Sequence, residues 1–334
     1  MQGLIADLRR LADEHRFSGV VRVDVDDHLV VHEAFGFAHR ALAVANTVGT
    51  QFGIASGTKG LTALAVMALV ERGDLRLDTT ARSLLGDDLP LVEDRVTVEQ
   101  LLAHRSGIGD YLDEEVETDV TQYLMPVPVH ELDSAESYLR VLDKFPSKFE
   151  PGQRFSYCNG GYVILALLAE RASGISYHDL VRTHVTEPAG MTATAFLRSD
   201  ELPGTAAVGY LDSEGPRTNV FHLPVVGVGD GGVYSTADDL ASLWRALFDG
   251  RIVATDTVAA TVAPRSDAPD EDARYGLGFW LHRSGDAVML VGGDAGVSFR
   301  SVHGPSRRLT HTVISNTSDG AWPLTRHLDA AFGL

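Results

Sequence analysis

The chain is nearly without cysteine: Cys158 stands alone among 334 residues. One cysteine can form no intrachain disulfide and fits a reducing compartment. Lysine is almost as scarce, three against 25 arginines. Positive charge as a whole is short, and the formal net charge of −18 speaks against nucleic acid or an anionic membrane as partner, since both require a basic face. Long apolar runs are missing too; the longest, around residues 61–70, is about half the length of a membrane span. The first dozen residues read as an amphipathic helix without the apolar core of a signal peptide, so the expectation is a soluble, cytoplasmic protein. Internal repeats and low-complexity tracts are absent. No His-Glu pair has metal-binding spacing, and G-x-S-x-G does not occur, so no metal, no cofactor and no α/β-hydrolase triad are expected.

What is present suggests an ordinary globular core, with 44% hydrophobic residues and enough length for two intertwined domains. Residues 19–25 and 28–35 alternate apolar and polar around Asp26-Asp27, as a hairpin does. Residues 60–72 are apolar on all sides, the mark of a buried helix, and Gly73 ends it. Residues 78–220 read as mainly helical. Within them Thr97 is a candidate cap for a helix over 98–104, a short polar helix covers 134–142, and 160–172 is a second all-apolar helix closed by Gly174. Residues 110–119 are dense in carboxylates and are expected to lie exposed. Strand-like segments return at 275–282, 287–291, 299–303 and 310–315. The expected plan is α/β, with residues 1–77 and 221–334 forming one domain from both chain ends. A mainly helical domain, 78–220, is inserted, and the active site lies between the two.

Ser56-Gly57-Thr58-Lys59 carries the clearest chemistry. If a helix begins at Ser56, residues i and i+3 share a face about 5–6 Å apart. A serine hydroxyl becomes a nucleophile when a neighbour takes its proton. Lysine can do so only when neutral, which burial and a positive helix N-terminus favour. In a chain that otherwise prefers arginine, which stays protonated, a lysine on an apolar helix is the exception. Tyr157-Cys158-Asn159 precedes the second apolar helix. Tyr157 can relay a proton if a cation lowers its pKa, Asn159 can bond both a substrate carbonyl and Lys59, and Cys158 is expected to point away and pack. The glycine-rich run 227–232 matches a nucleotide fingerprint but lacks the strand that should lead into it. A glycine turn followed by a Ser235 or Thr236 cap explains it better.

Together, Ser56-x-x-Lys59 and Tyr157-x-Asn159, about a hundred residues apart and in that order, resemble the first two motifs of the serine β-lactamase and penicillin-binding-protein superfamily, notably its class C-like branch. Segments around His104-Arg-Ser-Gly, Pro151-Gly and Gly231-Gly-Val-Tyr-Ser-Thr are similar as well. The resemblance implies a β-lactamase/transpeptidase-like α/β fold, an antiparallel sheet flanked by helices with the helical insertion. It also implies an acyl-enzyme on Ser56, with Lys59 and Tyr157 as catalytic partners and His104 structural. The family's third motif, Lys-Thr-Gly or His-x-Gly, has no evident match: Gly293-Asp294-Ala295 or Asp294-Ala295-Gly296 takes its place, with a backbone amide near Gly296 or Val297 completing an oxyanion hole. Without the motif's cation, and with Asp294 present, a substrate carboxylate is disfavoured. The expected function is therefore hydrolysis of an ester or amide of a neutral or cationic small molecule or short peptide, esterase- or D-aminopeptidase-like. The alternatives are a β-lactamase or D,D-peptidase, and a catalytically silent binding protein on the same fold. The oligomeric state is left open.

Overall fold

The computed structural model describes residues 2–116 and 119–334; Glu117, at the acidic end of the 110–119 segment, lies outside the described residues. Eight strands make one sheet. They are β1 (Gly19–Val25), β2 (His28–Phe35), β3 (Ser266–Ala268), β4 (Ala273–Tyr275), β5 (Trp280–His282), β6 (Val288–Asp294), β7 (Val297–Gly304) and β8 (Leu309–Ser315). Their order is β2-β1-β8-β7-β6-β5-β4-β3, and every neighbouring pair is antiparallel. The two chain ends meet in the pairing of β1 with β8, where Gly19 faces Ser315.

Period-two alternation assigns the faces of the sheet. Val21 and Val23 of β1 pack with Leu8 and Ala12 of helix α1 (Gln2–Glu14) and with Leu324 and Leu328 of the C-terminal helix, Trp322–Phe332. Val20 points the other way, into the main core. That core is built on helix α2 (Thr58–Arg72), in which every residue from Thr58 to Leu69 is buried, and on helix α3 (Asn159–Ser173), buried from Asn159 to Ala169. Each fully buried Leu, Val or Met of these helices contributes about 1.5–3 kcal/mol relative to an exposed position. Helix α4 (Ala237–Phe248) starts on the Thr236 hydroxyl, which accepts from Asp239 N. It docks on the sheet through Trp244, whose Nε1 donates to Ser301 Oγ at 2.8 Å.

The structure departs from the sequence reading in three places. Helix α2 begins at Thr58, and Ser56 sits in the 3-10 turn Ala55–Gly57 ahead of it. Ala55, just before Ser56, has φ +43°, a left-handed conformation that costs a non-glycine residue about 1–2 kcal/mol. The stretch 78–220 contributes no strand to the sheet among the described residues, yet much of it is irregular. Most of its helices are single turns, such as Ala81–Leu85 and Leu139–Leu142, and 191–220 holds none. Finally, the expected strand 275–282 is split: Tyr275 closes β4 and Trp280–His282 form β5, with 276–279 outside both; β3 and β4 are three residues long and mixed in polarity, so neither period reveals them. Among the described residues no helix is long and apolar enough to cross a membrane.

Candidate functional site

The start of α2 meets the β6–β7 hairpin and the loop before α3. At their junction Lys59 is 1% exposed. Its ammonium donates to three oxygens, Ser56 Oγ, Asn159 Oδ1 and the Asp230 carbonyl, each at 2.8 Å. Three acceptors match the three donors of an ammonium group. Burial lowers the Lys59 pKa, against the opposing pull of Asp230, Glu114, Asp110 and Asp294.

Two of these acceptors, on Asn159 and Asp230, are held in place from a distance. Asn159 is the first residue of α3, and the helix N-terminus is capped not by the residue before it but by the distant Asp110. That carboxylate accepts from Asn159 N at 2.6 Å and Gly160 N at 2.8 Å. The next residue, Tyr111, donates its hydroxyl to the Asp230 carboxyl. Asp110 and Tyr111 are buried, 5% and 9% exposed, so the acidic segment expected at the surface begins inside the protein. Only farther along, at Glu114 and Glu115, is it exposed. Glu115 accepts from Lys148, Arg154 and Ser156, which hold its carboxyl down to about 2. The glycine-rich run 227–232 is what delivers the Asp230 carbonyl to Lys59; Gly227 and Gly232 approach so closely that a Cβ on either would lie 2.5 Å from the other's Cα.

Tyr157 lies across from Ser56. The Lys59 Nζ is 4.8 Å from the centre of its ring, and Trp280 stacks on it at 5.9 Å and 13°. Burial raises its pKa well above the ordinary phenol value; Glu114 adds to this, and a hydrogen bond to Ser56 opposes it. The expected lowering by a cation is therefore corrected: Lys59 faces the ring rather than the oxygen, and Tyr157 stays a phenol. His104 is structural in its contacts. Its Nδ1 accepts from Cys158 N at 3.0 Å and its ring lies 4.3 Å from that of Tyr157. Burial holds it neutral. Cys158 is buried and its thiol pKa is pushed up by burial.

The third-motif region needs relocating. Gly292 of β6 lies flat on the Ser56 turn; a Cβ there would fall 2.2 Å from Ile54 O and 3.0 Å from Ser56 N. The glycine that the strand cannot replace is thus Gly292. Two residues earlier, where the family pattern carries Lys or His, stands Leu290, 2% exposed. It lies directly over α2: a Cβ on Gly60 would fall 2.4 Å from its Cδ2.

Of the residues assigned from sequence, Gly293, Asp294 and Val297 line a cavity with Ser56, but Ala295 is fully buried and Gly296 N donates to Ser318 Oγ at 2.9 Å. The free amide is elsewhere. His282 N donates to Ala287 O, so the facing residues 282 and 287 form a hydrogen-bonded pair. Alternation along an antiparallel ladder then turns the N–H groups of Met289, Val291 and Gly293 toward β5. Strand β5 begins only at Trp280, opposite Met289, so nothing of it lies opposite Val291 and Gly293. The N–H of Gly293 is left off the sheet, bordering the same space as Ser56.

Two cavities open from Ser56. A small inner chamber of about 70 Å³ includes Asn159, Glu114, Asp230 and Asp294 in its walls. A wider outer cleft of about 800 Å³ is bounded by Tyr157, Trp280, Trp322 and Phe155. Ser56, Glu114 and Gly293 border both.

The model of the family described as Beta-lactamase matches residues 4–332. The chain belongs to that family. Among its relatives, penicillin-binding protein 4* of Bacillus subtilis (strain 168) is 29% identical over 329 residues, 92% of this chain and 70% of the relative. The D-aminopeptidase of Brucella anthropi is 29% identical over 91% of this chain, which spans only 56% of that enzyme. In structure, the penicillin binding protein from Bacillus halodurans superposes with a TM-score of 0.91 at 34% identity, covering 97% of this chain and 99% of that one. The fold is therefore that of the β-lactamase/transpeptidase group, and the chain is a serine β-lactamase-family hydrolase.

Two outcomes follow from this geometry. G292A forces a methyl group into the Ile54 carbonyl and is expected to cost about 1–3 kcal/mol, read as a lower denaturant midpoint; an unchanged midpoint would contradict the contact. Burial raises the Asp294 carboxyl to about 7, above its unfolded value, so its protonated form stabilises the fold below the unfolded pKa. That contribution is lost as pH rises through the folded pKa. D294N removes the loss, so its Tm advantage over the wild type should widen by a few degrees between about pH 5 and about pH 8. A constant gap would speak against a buried carboxyl there.

Proposed function

We propose that the protein is a serine hydrolase that forms an acyl-enzyme on Ser56 and acts on an ester or amide whose acyl and leaving groups are neutral or cationic. The observation that carries this reading is the 2.8 Å contact between Ser56 Oγ and a desolvated Lys59. In its neutral form Lys59 keeps two acceptors by donation and turns its lone pair to the Ser56 hydroxyl. The Ser56 proton passes to Lys59 as Oγ bonds to the carbonyl carbon. The negative oxygen is held by the N–H groups of Ser56 and Gly293. As the bond to the leaving group breaks, Tyr157 gives that group its proton and recovers one from the Lys59 ammonium through the Ser56 oxygen, which both groups meet. Water then repeats the sequence and frees the acid. Asn159 Nδ2 donates to Leu112 O at 3.1 Å and Glu114 Oε1 at 3.0 Å, so a substrate carbonyl would bind there by displacing the exposed Glu114 side chain.

A penicillin-directed activity has the names of several relatives behind it, but Leu290 and Asp294 stand where a carboxylate would need a cation. The silent-protein alternative sits poorly with Ser56, which is half-buried and open to both cavities. A serine-directed fluorophosphonate should add one adduct to the intact mass, absent in S56A; no adduct, or one that persists in S56A, overturns the reading. Y157F should lower kcat about 10²–10⁴-fold on amides and much less on p-nitrophenyl esters, whose leaving group departs without a proton. An equal loss on both would remove Tyr157 from the proton path.

A further inference from the structure

The two cavities at Ser56 differ in what they can hold, and the position of Tyr157 sorts them. A proton donor to the leaving group must face that group, and Tyr157 borders the outer cleft but not the inner chamber. The departing group therefore occupies the cleft, and the acyl group the chamber. The chamber holds about 70 Å³, room for a few heavy atoms. Its apolar walls include Leu197 and Leu223. Its polar groups are of one kind. Asp230 is 7% exposed, with one carboxylate oxygen taken by Tyr111. Asp294 has one oxygen engaged by Ala295 N at 2.8 Å. Glu114 closes the mouth. Ser199 Oγ, buried and without a hydrogen-bond partner, adds an unfilled polar position to the wall. Among the described residues no Lys or Arg lines the chamber, and the nearby Lys59 already has its three acceptors.

We propose that the inner chamber is the acyl subsite and selects a short acyl group bearing an ammonium, an aminoacyl group of two to four carbons, with Asp294 as its main counter-charge. This rests on the acyl-Ser56 reading and narrows it to a substrate class. An ammonium entering the chamber meets buried carboxyls that are only partly compensated, Asp230 by Tyr111 and Asp294 by the Ala295 amide, so the same groups that disfavour an anion favour the cation. A neutral acyl group of equal size fits the walls but leaves the carboxylates and Ser199 Oγ as they were.

The test compares p-nitrophenyl or p-nitroanilide derivatives matched in size: glycyl and β-alanyl against acetyl and propionyl, with a hemisuccinate as the anionic control. Wild type should show kcat/KM at least ten-fold higher for the aminoacyl compound than for its neutral partner, and at least ten-fold lower for the anion. In D294N the ratio of aminoacyl to neutral should collapse to within about three-fold. A second substitution, L223W, fills the chamber without touching a charge and should depress every acyl group longer than acetyl while keeping the charge preference for the smallest. Turnover of neutral esters without ammonium preference, by an enzyme whose Ser56 also takes the fluorophosphonate in a separate labelling reaction, overturns this assignment and leaves the acyl-Ser56 reading standing. Absence of both turnover and the fluorophosphonate adduct overturns both.

Discussion

Everything at this site depends on one buried ammonium. Taking a lysine head group out of water is costly, and in proteins that cost is met by hydrogen bonds in fixed geometry or by loss of the proton. Here three oxygens at 2.8 Å come from three distant parts of the chain: the turn before α2, the first residue of α3, and the glycine-rich run before α4. Lys59 is therefore the point at which those segments must agree. The groups that orient the acceptors stand one step farther out. Asp110 fixes the end of α3 that carries Asn159, and Tyr111 fixes Asp230. A two-residue stretch of an acidic loop thus braces two of the three contacts.

The sheet serves the same point from the other side. Strand β6 must pass close enough to the Ser56 turn that residue 292 can carry no side chain. Strand β5 must begin late enough to leave the Gly293 amide unpaired. The strain of Ala55 and the missing side chain of Gly292 belong together: one bends the turn outward, the other lets the strand approach it. With Leu290 packed over α2 and Asp294 at the rim, the strand offers a hydrogen-bond donor for an oxyanion but no positive charge for a carboxylate. Only the second of these distinguishes the chain from the pattern of the family to which it belongs.

Local pattern made part of this legible in advance. The three-residue spacing of Ser56 and Lys59 and the nearly continuous apolarity of 60–70 announce a lysine buried beside a serine, and alternation announces β1, β2 and the late strands. The Thr97 cap, which forms a capping box with Gln100, and the Thr236 cap were legible for the same local reason. What could not be read were contacts that sequence separation hides. Asp230 lies 171 residues from Lys59, and nothing nearby says that its carbonyl, rather than its carboxylate, reaches the lysine. Asp110 and Tyr111 were lost in a run of carboxylates that reads as solvated surface. From sequence the third motif reads at 293–297, where Asp294 is the distinctive residue; the position that matters, Gly292, is marked only by the Ile54 carbonyl packed against it.

The decisive quantity is the protonation of Lys59. The chain has only three lysines, so a protein labelled with nitrogen-15 at lysine Nζ should give three resolvable signals, with that of Lys59 identified by its loss in K59M. Followed through an alkaline titration by NMR, the Lys59 signal should deprotonate below the ordinary lysine value of about 10.4. If it titrates at or above that value, the lysine remains an ammonium at working pH and does not serve as the base for Ser56.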